Sequence, residues 1–202
     1  MKRAGKSNAM KFIVLASGKG TTLESLLTLQ SKGQLQPQIC ALVTDNSKAE
    51  ALQVASRYNI PAQCIPQQEY SDYASWDAAL LAYLNKHDPD FILLAGFLKK
   101  VGPKVLNKFH NKMINSHPSL LPKYGGRGMY GQNVHAAVLA AKESKSGVTI
   151  HLLNERFDEG PILKQVEVPV LEGDTVKSLE ERVKAAEKSA LVDFLNSQYF
   201  EQ

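Results

Sequence analysis

The chain has 202 residues, of which 44% are hydrophobic and 22% charged, and this composition is typical of a globular domain rather than of a disordered, collagen-like or coiled-coil chain. Its formal net charge is +4, but Lys2, Arg3 and Lys6 carry three of those charges ahead of any structured pattern. The remaining residues are almost neutral, which argues against nucleic acid as the main partner.

Residues 1–9 are set apart from the rest of the chain by their sequence. The tripeptide Ser7-Asn8-Ala9 before Met10 resembles the scar of a removed tag, so we expect residues 1–9 to be a tag or a disordered extension. Residues 10–202 are expected to form a single domain, because no linker, repeat or low-complexity segment divides them.

Two features point to a reduced compartment and away from a membrane. The longest strongly apolar stretch, Phe91–Leu98, is far shorter than the roughly 20 residues of a membrane helix, and no signal peptide is visible. Cys40 and Cys64 fall in apolar, strand-like runs and are expected to be reduced, buried thiols. We therefore expect a cytoplasmic protein with no membrane partner.

The first half of the chain alternates short apolar runs with helical patterns. The apolar runs predict four strands, at Phe12–Ala16, Ile39–Val43, Ala62–Ile65 and Phe91–Ala95. Capping-box spacing at Thr21–Glu24 and at Ser47–Glu50 predicts the starts of two helices, and apolar residues from Trp76 to Leu84 mark a third. Continuously apolar strands that alternate with helices favour a parallel sheet covered on both faces.

The second half predicts more strands but a different connection. Its elements are a strand at Lys112–His117, a helix at Val134–Lys142, strands at Val148–Leu153 and Ile162–Val170, and a last helix from about Asp174 to Leu195. The connection between the last two strands, residues 154–161, is too short for a crossover helix. One strand is therefore expected to be antiparallel.

A glycine-rich turn follows the first predicted strand. In Ser17–Thr22, small residues would let the backbone approach a phosphate, and the next helix would aim its free N–H groups at it. Leu23 stands where a dinucleotide fingerprint needs glycine, and Gly20 follows Lys19 where a Walker loop needs Ser or Thr. The glycines alone leave a phosphate site and an empty tight turn equally open.

Polar residues at the end of the fifth predicted strand point to acyl-type chemistry. Asn115 and His117 project to the same side of an extended chain, and they offer an amide donor and a titratable imidazole. Asp158, in the loop after the sixth predicted strand, is placed to orient or charge an imidazole. Taken singly, each also fits a structural or solvent-exposed role. No His, Cys, Asp or Glu set has zinc spacing, so no metal is expected.

The remaining histidines carry weaker signals. We expect His87 and His110 to be exposed, His135 to open a helix, and His151 to be a hydrogen-bonded structural residue within its strand.

Four motifs in order resemble the phosphoribosylglycinamide formyltransferase family over about residues 11–195. The most specific is Asn115–Pro122, which is similar to the family signature Asn-x-His-Pro-Ser-Leu-Leu-Pro. Leu94–Phe97, Asp158–Pro161 and the turn Ser17–Gly20 fall at the expected places. The resemblance implies a three-layer α/β/α formyltransferase fold with a mostly parallel seven-stranded sheet and one antiparallel strand.

The resemblance also implies the reaction, which is formyl transfer from 10-formyltetrahydrofolate to the amine of 5-phosphoribosylglycinamide, without a metal. Its implied catalytic residues are Asn115, His117 and Asp158. The implied substrate-binding residues are Gly20, Thr21 and Thr22 at the phosphate, with Lys184 and Glu187 on the last helix. The implied folate-binding residues are Leu98, Lys99, Lys100, Val101, Asn115, Glu155, Arg156 and Phe157.

The chain departs from the family pattern at three places. Thr21 and Thr22 stand where the family often has Ser-Asn, and Tyr73 aligns with an arginine that meets the glutamate tail of the folate. The loop Gly125–Asn133 is longer and richer in glycine than the usual sequence. Related formyltransferases that act on methionyl-tRNA, or that hydrolyse formyltetrahydrofolate, carry additional domains that do not fit in 202 residues.

Overall fold

The computed structural model of the protein describes residues 10–197. The expectation for residues 1–9 therefore lies outside the described residues. The described strands are β1 Lys11–Leu15, β2 Gln38–Thr44, β3 Ala62–Cys64, β4 Phe91–Leu94, β5 Met113–His117, β6 Lys145–Leu152 and β7 Ile162–Pro169. The described α-helices are α1 Thr21–Ser31, α2 Ala51–Arg57, α3 Tyr73–His87, α4 Pro103–Lys108, α5 Gln132–Ala140 and α6 Val176–Leu195, and a 3-10 helix covers Gln67–Glu69.

The seven strands form one sheet in the order β3-β2-β1-β4-β5-β6-β7. Strands β1 to β5 pair in parallel, whereas β6 is antiparallel to both of its neighbours, β5 and β7. Strand β6 is thus the single antiparallel strand among the described residues. The predicted sheet and its connection are confirmed.

Helices cover both faces of the sheet because the central strands are apolar on both sides. In β1, Phe12 and Val14 pack with α1, α2 and α6, while Ile13 and Leu15 pack with α3 and α4. All four side chains are fully buried. Each contributes about 1.5–3 kcal/mol through its removal from water. This two-sided burial produces the three layers and holds the carboxyl ends of β1, β4 and β5 side by side.

Helix α1 begins differently from its predicted capping box. Its N-cap is Gly20, in the left-handed region with φ of 71°, and no side chain caps the helix. A Cβ at this position would lie 2.8 Å from the Cα of Ala51, so the close turn requires glycine. The capping-box prediction at Thr21–Glu24 is wrong because Thr21 is already inside the helix.

The other helix starts show where local patterns mislead. Glu50 is the N-cap of α2 and lies in the right-handed helical region without a side-chain cap, so the capping box predicted at Ser47–Glu50 is also wrong. A true capping box is found at α6, where the side chains of Thr175 and Ser178 each accept the other's backbone N–H. Helix α4, which begins with Pro103 in its first turn, was not predicted.

Three expectations about individual side chains need correction. Cys40 and Cys64 are free thiols, but both are only partly buried. His87 is partly buried because its ring lies against Tyr83 with centroids 4.7 Å apart. His135 lies inside α5 rather than at its start, and it is buried. Among residues 10–197, no helix combines the length and the apolar character needed to cross a bilayer.

Candidate active site

A cavity of about 620 Å³ opens at the carboxyl ends of the parallel strands, where ligands of open α/β sheets bind. Its walls come from the turn after β1, the segment after β4, the end of β5, the loops before α5 and after β6, and helix α6. Every site residue predicted from the sequence lines this cavity except Glu155, which is exposed to solvent. The topology therefore brings together residues that are up to 169 positions apart, from Gly18 to Glu187.

Asn115 and Asp158 meet at the centre of the cavity beside a third residue, His151. The Asn115 amide nitrogen lies 3.1 Å from His151 Nε2 and 3.4 Å from Asp158 Oδ1. The reverse orientation of the amide would place its oxygen against the Asp158 carboxylate. The amide therefore donates to both neighbours, and His151 Nε2 is an acceptor. His151 Nδ1 then donates to the carbonyl of Leu152 at 2.9 Å.

His117 is held between a carbonyl group and a carboxylate. Its Nε2 donates to the backbone oxygen of Tyr124 at 2.7 Å, and its Nδ1 faces Asp158 Oδ2 at 3.5 Å. Burial lowers the pKa of His117, and this effect outweighs the opposing effects of the Asp158 charge and of the Tyr124 carbonyl. At neutral pH, the imidazole of His117 in the free protein is therefore uncharged, and its Nδ1 faces Asp158 Oδ2.

Asp158 is fixed by the backbone as well as by the histidines. It adopts φ of 58°, and its Oδ2 accepts the N–H of Gly126 at 2.9 Å. Burial raises the pKa of Asp158, but the positive charge that His151 or His117 carries when protonated and the N–H of Gly126 oppose this effect, and the net pKa lies below its ordinary value. The carboxylate is therefore ionised at neutral pH, and its hydrogen bond from Gly126 ties the glycine-rich loop to the cluster of Asn115, His117 and His151.

The turn after β1 forms one end of the cavity with backbone groups. Helix α1 starts at Thr21 without a side-chain cap, and Gly18, Gly20 and Thr22 line the cavity. The N–H groups of an uncapped first turn, together with the positive end of the helix dipole, make a site for an anion.

Helix α6 contributes charged groups to the same cavity. Lys184 Nζ lies 2.5 Å from Glu180 Oε1, and Glu180 Oε2 accepts from the side chain of Gln132 at 3.0 Å. One turn after Lys184, Glu187 Oε1 accepts from the hydroxyl of Ser116 at 2.6 Å. Burial raises the pKa of Glu187. The helix therefore presents one cation and two carboxyl groups to a ligand.

The segment after β4 forms the opposite wall. Leu98 is 54% exposed and Phe157 is 43% exposed, and both line the cavity, so they give it an open, apolar part that we call the apolar slot. The Leu98 amide donates to the hydroxyl of Ser17 at 2.9 Å, and that hydroxyl donates to Asp45. Tyr73, which aligns with the family arginine, donates its hydroxyl to the carbonyl of Lys100 at 3.0 Å. The tyrosine thus supports the backbone of this segment.

Sequence reasoning missed the two other histidines that line the cavity, His135 and His151. His151 makes hydrogen bonds, as predicted, but one of them is to Asn115, because β6 pairs with β5 so that His151 lies directly opposite Asn115. His135 lines the cavity from α5. The short connection after β6 pointed to the antiparallel pairing, but the register of that pairing was not readable from the sequence.

The cavity is lined by histidine and carboxylate side chains, which are residue types that also bind metals. Within the part of the chain that the structure describes, no group of three or more His, Cys, Asp or Glu side chains is arranged to hold a metal ion.

Comparison with known proteins shows to which class of protein the chain belongs. The family model described as formyl transferase matches residues 10–195. The glycinamide ribonucleotide transformylase 1 structure from Symbiobacterium toebii superposes with a TM-score of 0.89 at 31% sequence identity, covering 97% of this chain and 90% of that one. The chain is therefore a member of the formyl transferase family with the fold of a glycinamide ribonucleotide transformylase.

Curated relatives narrow the class. A phosphoribosylglycinamide formyltransferase of Mycobacterium tuberculosis is 35% identical over 190 residues, covering 94% of this chain and 85% of the relative. A chloroplastic phosphoribosylglycinamide formyltransferase of Vigna unguiculata is 37% identical over 187 residues, and this chain spans 60% of its length. The chain belongs to the formyl transferase family, within its phosphoribosylglycinamide formyltransferase branch.

Proposed function

We propose that this protein transfers a formyl group from 10-formyltetrahydrofolate, its cosubstrate, to the amine of 5-phosphoribosylglycinamide, a step of purine biosynthesis. The observation that carries this proposal is the cluster of Asn115, His117, His151 and Asp158 in the cavity, in which Asn115 hydrogen-bonds to His151 and Asp158 and His117 faces the Asp158 carboxylate. The cluster lies between an uncapped helix terminus, which suits a phosphate, and an apolar slot, which suits a flat ring.

The ribonucleotide occupies the end of the cavity formed by α1 and α6. Its phosphate accepts from the backbone N–H groups at Gly20, Thr21 and Thr22, with Lys184 as a further cation. Glu187 accepts from the glycinamide group. This arrangement leaves the substrate amine near Asn115, because Ser116 connects Glu187 to the same strand end.

The folate occupies the slot between the two loops. Leu98, Lys99, Lys100 and Val101 contact its ring through their backbone, while Arg156 and Phe157 close over it. Because Glu155 does not line the cavity, it has no contact with the folate in this proposal. Tyr73 is occupied with the Lys100 carbonyl, so it supports the ring site instead of binding the glutamate tail.

The transfer begins with attack of the neutral amine on the formyl carbon. A C–N bond forms, and the carbonyl oxygen becomes an oxyanion. Asn115 stabilises that oxygen with the N–H that reaches Asp158 over only a long 3.4 Å contact in the free site. An amide donor that is already in place contributes a large factor to the rate in this way.

Proton transfer completes the reaction. The attacking nitrogen becomes positively charged, and its proton passes to Nδ1 of the neutral His117, directly or through a water held by Asp158. The resulting imidazolium lies between the Tyr124 carbonyl and the Asp158 carboxylate, which stabilise it. The C–N bond to the folate then breaks, and His117 returns the proton to the folate nitrogen. No step requires a metal ion.

Other expectations complete the proposal. Residues 10–202 act as a single domain in the cytoplasm, and the ligands are small molecules rather than nucleic acid or membrane. The direct test follows the absorbance of the deformylated folate when the protein is mixed with 5-phosphoribosylglycinamide and 10-formyltetrahydrofolate. Folate release that is fast only with the ribonucleotide present supports the transfer, whereas equal release without it indicates hydrolysis and contradicts the proposal.

A further inference from the structure

One buried imidazole of the cavity has no partner. His135 is 1% exposed, and its Nδ1 makes no hydrogen bond. Among residues 10–197, only three buried side-chain polar atoms are unpaired in this way, and the other two belong to His87 and Ser146. Of the three, only His135 lines the catalytic cavity. Burying a polar group without a partner is costly, so such a group calls for a ligand or another specific cause.

The position of the ring determines where its proton lies. A neutral imidazole carries one N–H and one lone pair. A proton on the buried Nδ1 of His135 would be a donor with no acceptor, so the neutral ring is favoured with its proton on Nε2. Nε2 has no hydrogen-bond partner among the described residues. His135 therefore offers a pre-oriented N–H to the cavity.

The charges around His135 explain why a donor is needed there. Lys184 is the cation of helix α6 in the cavity, but in the free protein it pairs with Glu180 at 2.5 Å, and Gln132 holds the other oxygen of that carboxylate. A dianion that binds to Lys184 therefore also meets the negative charge of Glu180. A second donor on the facing helix α5 offsets this repulsion.

We propose that His135 is a substrate-binding residue that donates from Nε2 to a phosphate oxygen of the ribonucleotide, beside Lys184. This inference rests on the proposed function, because it assigns a role to His135 within the same site. The sequence placed His135 only at a helix start, and the implied substrate residues did not include it.

The contact makes ribonucleotide binding depend on pH. The titratable and charged groups that face His135 are Glu180 and Lys184 on α6 and His117 on β5. Burial lowers the pKa of His135, Glu180 raises it, and Lys184 and His117 lower it further, so the free imidazole is neutral near pH 7. A bound phosphate dianion raises this pKa, so the contact becomes charge-assisted at lower pH.

The test compares His135→Asn with His87→Asn by calorimetry at pH 6.5 and pH 8. His87 is the matched control, because its Nε2 is also buried and unpaired but does not line the cavity. We expect His135→Asn to weaken binding of 5-phosphoribosylglycinamide about tenfold or more at pH 6.5 and by a smaller factor at pH 8, as loss of a charge-assisted hydrogen bond does. Tetrahydrofolate binding should not change, and His87→Asn should match the wild type.

Further arms separate the possible failures. The same substrate without its phosphate should bind equally to the wild type and to His135→Asn, and an equal loss there would overturn the phosphate contact. Wild-type ribonucleotide affinity in a folded His135→Asn protein would overturn the inference alone. A wild-type protein that binds tetrahydrofolate but neither binds nor formylates the ribonucleotide would overturn the proposed function as well.

A measurement on the unmodified protein covers the case in which the variant does not fold. Nuclear magnetic resonance would follow the His135 ring nitrogens during a pH titration, with and without saturating 5-phosphoribosylglycinamide. We expect the ribonucleotide to raise the pKa of His135 by at least about one unit. An unchanged titration of His135 in the saturated protein would contradict the proposal.

Discussion

The two ends of the cavity are built from different parts of the chain. At the turn after β1, the groups that face the ligand are backbone N–H groups, and the fixed element is the shape imposed by Gly20. At the ends of β5 and β6, the groups are side chains held by hydrogen bonds, either to one another, as Asn115 is to His151 and Asp158, or to the backbone, as His117 is to the Tyr124 carbonyl. Ligand binding in the first region should therefore be sensitive to changes that alter the path of the backbone. Function of the second region should be sensitive to the replacement of individual side chains.

The largest expected effect comes from the side-chain region. We expect Asn115→Ala, His117→Ala and Asp158→Ala each to lower kcat by at least about 100-fold, because each removes an oxyanion donor or a proton-transfer group. The fold should survive, since Asn115 and His117 lie near the end of β5 and Asp158 lies in a loop, outside the hydrophobic core. Turnover, circular dichroism and ligand binding would be measured on each variant, and near-normal turnover in folded His117→Ala would contradict the catalytic assignment.

The same region should act as a unit. His117 and Asp158 face each other at 3.5 Å, so the double variant His117→Ala with Asp158→Ala should cost much less than the product of the two single losses. A double-mutant cycle on kcat measures this coupling. Independent, multiplicative losses would mean that the carboxylate does not act through the imidazole.

The next effect tests the backbone region. Gly20→Val should weaken ribonucleotide binding about tenfold or more while leaving folate binding much less changed, because a side chain there meets Ala51 and displaces the first turn of α1. Gly18→Ala is the matched control, since a Cβ at Gly18 meets nothing within 4 Å. Calorimetry with each ligand would check both variants, and equal losses for the two ligands would show that the turn does not bind the phosphate.

A smaller effect is expected at the folate wall. Tyr73→Phe removes a single partly exposed hydrogen bond to the Lys100 carbonyl, worth about 0.5–1.5 kcal/mol, and should weaken folate binding by a factor of about 2 to 12. Ribonucleotide affinity should stay the same. Dependence of wild-type affinity on the length of the glutamate tail, lost in Tyr73→Phe, would instead assign the tyrosine to the tail.

The comparison also explains how much the sequence predicted. Apolar runs such as Phe12–Ala16 predicted the strands, because a strand that is buried on both faces is apolar at every position. The short connection after β6 predicted the antiparallel strand. Helix starts such as α1 depend on tertiary contacts, here the approach of Gly20 to Ala51, and local spacing misplaced them.

Within the site, the resemblance located the residues but not their contacts. Recognisable motifs contain Asn115, His117 and Asp158, and the structure places these three side chains close together. The place of His151 depends on the register of β6 against β5, and the bond from Gly126 to Asp158 depends on the path of a long loop. Neither is encoded in a local pattern. Glu155 is exposed and does not line the cavity, whereas its neighbour Arg156 does.

The smallest expected effect concerns stability and distinguishes a buried catalytic imidazole from an exposed one. The folded pKa of His117 lies below its ordinary value of 6.5, so below pH 6.5 the unfolded chain binds a proton that the folded protein does not. The free energy of unfolding therefore rises with pH through this window, and this contribution is lost as pH falls from about 6.5 through the folded pKa.

A single histidine changes the free energy of unfolding by at most about 1.4 kcal/mol per pH unit. We expect His117→Asn to flatten the slope between pH 5 and 6.5 in urea unfolding experiments. A wild-type slope in His117→Asn would mean that the folded protein protonates this ring as readily as the unfolded chain does.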